Sequence, residues 1–182
     1  MEKLKDDLNR SKKLSDQFAE RLQQHMPDTS DSVLIVLKGH LLIEEIVTES
    51  LCLLMHNPEI YLKTNPSFHV KVCLLRALTP FIEILNLDAV LQLNKIRNKL
   101  AHHLEYPEIE NLMEKYLKNI EDSRITDEHS LDFNFTDKTK PVSERLKLSI
   151  SYLIGQLGLL AGIVPIMNNI LNAYREDEDS KV

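Results

Sequence analysis

Residues 94–103 read Asn-Lys-Ile-Arg-Asn-Lys-Leu-Ala-His-His. At about 100° per residue, Asn94, Arg97, Asn98, Ala101, His102 and Glu105 form one mostly polar stripe, while Leu93, Ile96, Leu100 and Leu104 form an apolar one. That is the pattern of an amphipathic helix lying on a core. Upstream, Asp88 is the expected cap, and the helix is expected to run to about His103. The stretch is also chemically distinctive. No acid occurs between Ala89 and His103, although the chain carries a net charge of -6. Asn98 and His102 are one turn apart and within reach of each other. Arg97 and His102 are roughly 140° apart on an ideal helix, so they meet only at a shared ligand or where the helix loosens near Ala101.

Outward from this helix, the whole chain predicts helices. Hydrophobic residues make up 43% of the 182 positions, aromatic ones only 5%, and there are 4 glycines. This favours Leu- and Ile-packed helices over a sheet. One domain is expected, in four parts. Residues 1–28 are an amphipathic helix packing on the bundle through Leu4, Leu8, Leu14, Phe18 and Leu22. Residues 29–121 are the core. Residues 122–140 are a polar, mobile connection with a short extended piece at 131–135. Residues 141–182 are a long apolar helix, expected from Val142 to Tyr174, and an acidic tail. Within the core, Thr29, Ser30 and Asp31 offer caps for a second helix to about His56. Asn57-Pro58 and Asn65-Pro66 punctuate it, a helix follows over 67–78, and Pro107 opens another.

Two features of that layout constrain function. His40, Glu44 and Thr48 form a polar line along the second helix, and Glu44 is a candidate to orient Arg97, against a solvated or intrahelical role. The last helix carries no charge from Leu148 to Met167. An all-round apolar helix is expected to be buried on all sides, here against the bundle and a second protomer, with Gly155, Gly158 and Gly162 allowing close approach and Pro165 a kink. Its length also meets the criterion for a membrane span, which Ser149, Ser151, Gln156, the glycines and Pro165 weaken. Cys52 and Cys73 read as buried thiols of a reducing, cytoplasmic compartment rather than a disulfide framework. The densely charged first 25 residues do not read as a signal peptide. No Cys/His cluster has zinc-site spacing.

Arg97-Asn98-x-x-x-His102 resembles the signature of the HEPN superfamily: arginine, a polar residue, a few residues, histidine. The resemblance extends over about residues 31–120. Gly39-His40-Leu41 followed by Ile43-Glu44-Glu45 looks like the long second helix. Phe68, Lys71, Val72, Leu74, Ala77 and Leu78, then Leu93 to Asn98, look like the helix pair that precedes and carries the motif. The segment Arg97-Asn98-Lys99-Leu100-Ala101-His102 is also similar to one in the mannitol operon repressor family, again on an all-helical fold.

The HEPN resemblance implies an all-α, HEPN-like bundle of five or six helices and a homodimer whose motifs face each other. It implies endoribonuclease activity with no metal or other cofactor, as in toxin or antiphage-defence enzymes. Arg97 would stabilise charge developing on the phosphate. His102 would act as general base or acid, since histidine ordinarily titrates near neutrality. The RNA 2'-hydroxyl would be the nucleophile, leaving a cyclic phosphate. Asn98 would orient His102 or bind substrate, and Lys95, Lys99 and His103 would add positive potential for the RNA backbone. The implied partners are RNA, a second copy and an antitoxin or regulatory protein, with no membrane. The mannitol-repressor resemblance implies instead a non-catalytic transcriptional regulator or dimeric interaction module. The same residues also fit an ordinary surface helix, with Arg97 in a salt bridge and the histidines near a helix C-terminus, where the dipole favours cations.

Overall fold

The structure is a computed structural model, and it describes residues 2–79, 85–102, 107–123 and 133–179. Among them it is all-α, with seven helices and no strand. They are α1 (Glu2–His25), α2 (Ser32–Leu54), α3 (Pro58–Lys63), α4 (Phe68–Leu78), α5 (Leu87–His102), α6 (Ile109–Ser123) and α7 (Val142–Asp179). The short α3 is additional to the sequence expectation. Asn57-Pro58 ends α2 as expected, but Pro58 then occupies the first turn of a new helix, where its missing N–H costs nothing. Helix α7 also outruns its expected end at Tyr174, so the backbone of the acidic stretch through Asp179 is helical.

Helices α2 and α7 pack together along the middle of the bundle, with α1 laid over both, α4 and α5 on α2, and α6 bridging α5 and α7. Gly39 sets the crossing of α2 and α7: a Cβ there would come within 2.5 Å of Ile150 Cδ1. Asp31 caps α2 by accepting from the amides of Val33 and Leu34, and Ser67 caps α4. The α5 cap is Asn86, whose Oδ1 accepts from Ala89 N at 3.0 Å. The expected cap, Asp88, lies two residues too far inside; it sits in the first turn and pairs with Arg76 at 2.7 Å.

Two expectations about the 122–140 connection change. Residues 133–140 are anchored rather than mobile. Phe135 is fully buried and groups with Phe133 and Tyr152; its amide donates to Glu121 Oε2 at 2.8 Å. No strand occurs at 133–135, and residues 131–132 lie outside the described residues. The strap is held from below by Arg145, which is 3% exposed. Arg145 donates to both Glu114 carboxylate oxygens, at 2.9 and 2.6 Å, and to the carbonyls of Phe135 and Lys140.

Helix α7 is not buried on all sides within one chain. Leu146, Ile150, Leu153, Leu157, Leu160 and Val164 are buried, but Leu159 is 61% exposed and Ile163 38%. Gly158 packs under α1 against Phe18 and Ser15, whereas a Cβ on Gly155 would meet only open space. Residues 142–164 have the length and mean hydropathy (1.5) of a membrane span, yet 56% of the apolar window is buried in the bundle. Helical backbone continues through Pro165. Finally, Cys52 is half-buried and Cys73 exposed. Cys73 shares α4 with buried Val72 and Leu75 but falls on the solvent side, and its Sγ lies 3.5 Å from His69 Nε2.

Candidate functional site

The apolar stripe of α5 docks it: Leu93 and Ile96 are buried, with Leu100 packed beside them. This turns the first half of the polar stripe, Asn94 to Asn98, towards α2 and leaves Ala101 and His102 exposed. The two halves therefore sit in different surroundings.

In the half-buried part, His40 of α2 reaches across to the motif helix. Its Nε2 lies 2.9 Å from Asn94 Oδ1, and its ring packs against Phe68 of α4, with centroids 4.5 Å apart. His40 is 2% exposed and its Nδ1 has no hydrogen-bond partner. Burial pushes its pKa below the ordinary value; Glu44 opposes that shift, and the positive charge of Arg97 adds to it. The ring is therefore neutral near pH 7. With Asn94 Oδ1 as acceptor, the proton sits on Nε2 and the lone pair on Nδ1.

The structure reassigns two expected partnerships. Glu44 does not pair with Arg97. Its carboxylate takes Lys71 Nζ of α4 at 2.8 Å, because α4 brings a flexible lysine between α2 and solvent. Asn98 holds Arg97 rather than His102: Arg97 Nη1 donates to Asn98 Oδ1 at 3.0 Å. Among the described residues no carboxylate pairs with Arg97, which keeps its positive charge uncompensated by direct contact.

His102 ends α5 and is exposed. Lys95, Lys99 and His102 fall within an arc of roughly 60°, nearly opposite Arg97. Lys95 and Lys99 line a groove facing α6, so the expected cationic set is divided: the lysines towards α6, Arg97 towards α2. His103 lies outside the described residues. Among the described residues, no group of three or more His, Cys, Asp and Glu side chains converges as a metal site.

No family model, curated protein or solved structure matches this chain.

Sequence reading did not find the His40–Asn94 pair or the contribution of α6. The two residues of the pair are 54 positions apart. The only local signals are that His40 lies on the polar line of α2 and Asn94 on the polar stripe of α5. Lys115, which faces Lys95 and Lys99 across the groove, carries no local signal at all.

Proposed function

We propose that the protein is a metal-independent endoribonuclease of HEPN type, cleaving RNA by attack of the 2'-hydroxyl on the adjacent phosphate. The observation that supports this most is the local chemistry of α5. A histidine stands exposed at its end, an arginine with no carboxylate partner among the described residues stands on its polar stripe, and the helix carries no acid beyond Asp88. An ordinary surface arginine of an acidic protein finds an acid; this one is held by a neutral amide.

In this reading His102 takes the 2'-hydroxyl proton or supplies one to the leaving 5'-oxygen. Arg97 stabilises negative charge on the phosphate. Asn98 fixes the guanidinium, and the neutral His40–Asn94 bond fixes the helix that carries both. Arg97 and His102 diverge on one helix, so a second copy facing α5 would set its arginine opposite His102 and complete the site. Lys95 and Lys99 add positive potential for the strand.

The test is cleavage of a mixed tRNA and mRNA pool in EDTA. Wild type should leave cyclic-phosphate ends. His102→Ala should lose roughly 10²–10⁴-fold in rate and Arg97→Ala on the order of 10²–10³-fold, with both variants folded. No cleavage by folded wild type at any concentration would remove the nuclease. A second reading, a non-catalytic regulator or dimeric interaction module like the mannitol repressor family, draws on the open Gly155, Leu159 and Ile163 face of α7. It expects Leu159→Glu, and not His102→Ala, to abolish function.

A further inference from the structure

Helix α2 is packed round most of its circumference, by α7, α1, α4 and α5, but one strip stays open. Its positions are Leu34, Lys38, Leu41, Glu45 and Thr48, spaced four, three, four and three. That spacing keeps one face in line along a helix and is the seam pattern of a helix pair. Leu34, Lys38, Leu41 and Glu45 are exposed and Thr48 is half-buried, with Leu41 50% exposed. Half-buried Leu37 lies beside them. Leucines two turns apart on an open face hold apolar surface in water that a partner helix would remove.

The charges on the strip differ from those around it. Glu44 takes Lys71 at 2.8 Å, Glu49 pairs with Arg21, and the Thr48 hydroxyl donates back to the Glu44 carbonyl at 2.7 Å. Lys38 and Glu45 have no hydrogen bond or ion pair among the described residues. They stand about 10.5 Å apart along one helix, too far to answer each other. A second copy of the same strip answers both. Run antiparallel about a two-fold axis through Leu41, it sets Leu41 against Leu41, Lys38 of each copy against Glu45 of the other, and Leu34 against Thr48, because each pair is symmetric about Leu41 to within one residue. A parallel pair would set Lys38 against Lys38 and Glu45 against Glu45. The charge order therefore selects the antiparallel direction and fixes the register.

We propose that α2 is a self-association surface, docking isologously on the α2 of a second copy through Leu34, Leu41 and the crossed Lys38–Glu45 pairs. The two-fold axis is perpendicular to both helices, so whatever flanks α2 on one side flanks the other copy's α2 on that same side. His40, about 100° round the helix from Leu41, ties α5 to α2 through Asn94. Both α5 helices, each with its Arg97 and His102, therefore come to one side of the dimer. The interface does not rest on the ribonuclease reading; bringing the two α5 helices together is what that reading asks of a second copy.

The strip is about 20 Å long, small for an interface. The full-length protein should therefore show a monomer–dimer equilibrium in the micromolar range, read by sedimentation velocity over a dilution series. Leu41→Glu sets two carboxylates together at the axis and should weaken association about a hundredfold, with helical content by circular dichroism unchanged. Lys38→Glu and Glu45→Lys should each weaken it about tenfold. The double variant Lys38→Glu/Glu45→Lys should return it to within about threefold of wild type, a rescue that a merely structural role would not produce. Register is read by cross-linking in a Cys52→Ser/Cys73→Ser background. Leu41→Cys should form a disulfide dimer on mild oxidation, whereas Glu45→Cys, about 12 Å along the axis from its counterpart, should not.

A wild type that stays monomeric at about 200 µM, a dimer indifferent to Leu41→Glu, or a double reversal no better than the single ones overturns the proposal. Its failure is separable from that of the nuclease. A dimer with these responses that never cleaves RNA keeps the interface and loses the enzyme. An RNA-cleaving protein whose dimer ignores Leu41→Glu does the reverse.

Discussion

Arg145 and Arg97 are both drawn into the same bundle, and they are held in opposite ways. Arg145, at the start of α7, is 3% exposed and grips both oxygens of Glu114 and two backbone carbonyls. Four of its five N–H donors are answered, and its charge is neutralised by a bidentate carboxylate. Arg97, half-buried on α5, has the neutral Asn98 oxygen as its hydrogen-bond partner and depresses the titration of a neighbouring histidine. A buried charge must be paired or it destabilises the fold, and Arg145 meets that demand. A half-exposed charge left unpaired is tolerated because water still reaches it, and it remains available to an anion from outside. The difference teaches how a structural arginine can be told from a candidate functional one: by its partner, not by its burial.

Variants break or sharpen this contrast in a definite order. The largest loss should come from Phe135→Ala, which empties the fully buried end of the strap whose carbonyl Arg145 binds. About 3–5 kcal/mol is expected, read as the urea midpoint. A loss under about 1 kcal/mol would mean that the strap is peripheral after all. Next, Glu114→Ala strands the buried guanidinium and should cost about 3 kcal/mol; because the Glu114 side chain is itself 39% exposed, the lower end of the range applies.

The same pair sets an acid limb. The Arg145 hydrogen bond holds the Glu114 carboxyl below its ordinary value of 4.5. Its stabilisation is complete above pH 4.5 and is lost as the pH falls through the lower, folded value. Unfolding curves of Glu114→Gln should lack that limb. His40 acts at a higher pH. Burial lowers its pKa from 6.5, so between its folded value and 6.5 the unfolded chain binds more protons. Stability is full above pH 6.5 and falls as the pH drops below it. In His40→Gln the slope between pH 6.5 and 5 should flatten, and an unchanged slope would show that another group carries it.

The smallest stability effect is expected where the contrast is sharpest. Arg97→Gln should change stability by no more than about 0.5 kcal/mol, while RNA cleavage falls as for Arg97→Ala. A loss near 2 kcal/mol would place Arg97 beside Arg145 as a structural residue and count against the nuclease.

Much of the fold is legible along the chain because its signals are local. Asp31 caps the helix its position suggests, Pro58 and Pro107 stand at breaks, and the leucine spacing of α5 and α7 gives their buried faces. Local signals fail where two candidates compete within a residue or two: Asn86 caps α5, and Asp88 serves Arg76 instead. They fail again at 133–140, where polar composition suggests a mobile connection and two phenylalanines decide otherwise. The candidate site divides in the same way. The order Arg97-Asn98-x-x-x-His102 and the absence of acids around it are properties of the sequence alone.

What the sequence could not contain is which partner each side chain meets once the helices are packed. Sequence by itself determined an all-α chain, the placing of most helices, and a cationic segment on one of them, since periodicity, capping and charge act within a few residues. Only the tertiary structure decided that Glu44 belongs to Lys71, that His40 bonds Asn94, that Glu114 belongs to Arg145, and that Lys115 faces Lys95 and Lys99. Those pairings join residues far apart in the chain. They depend on how helix axes cross, which is set by close approaches such as Gly39 against Ile150 and by the packing of the whole core.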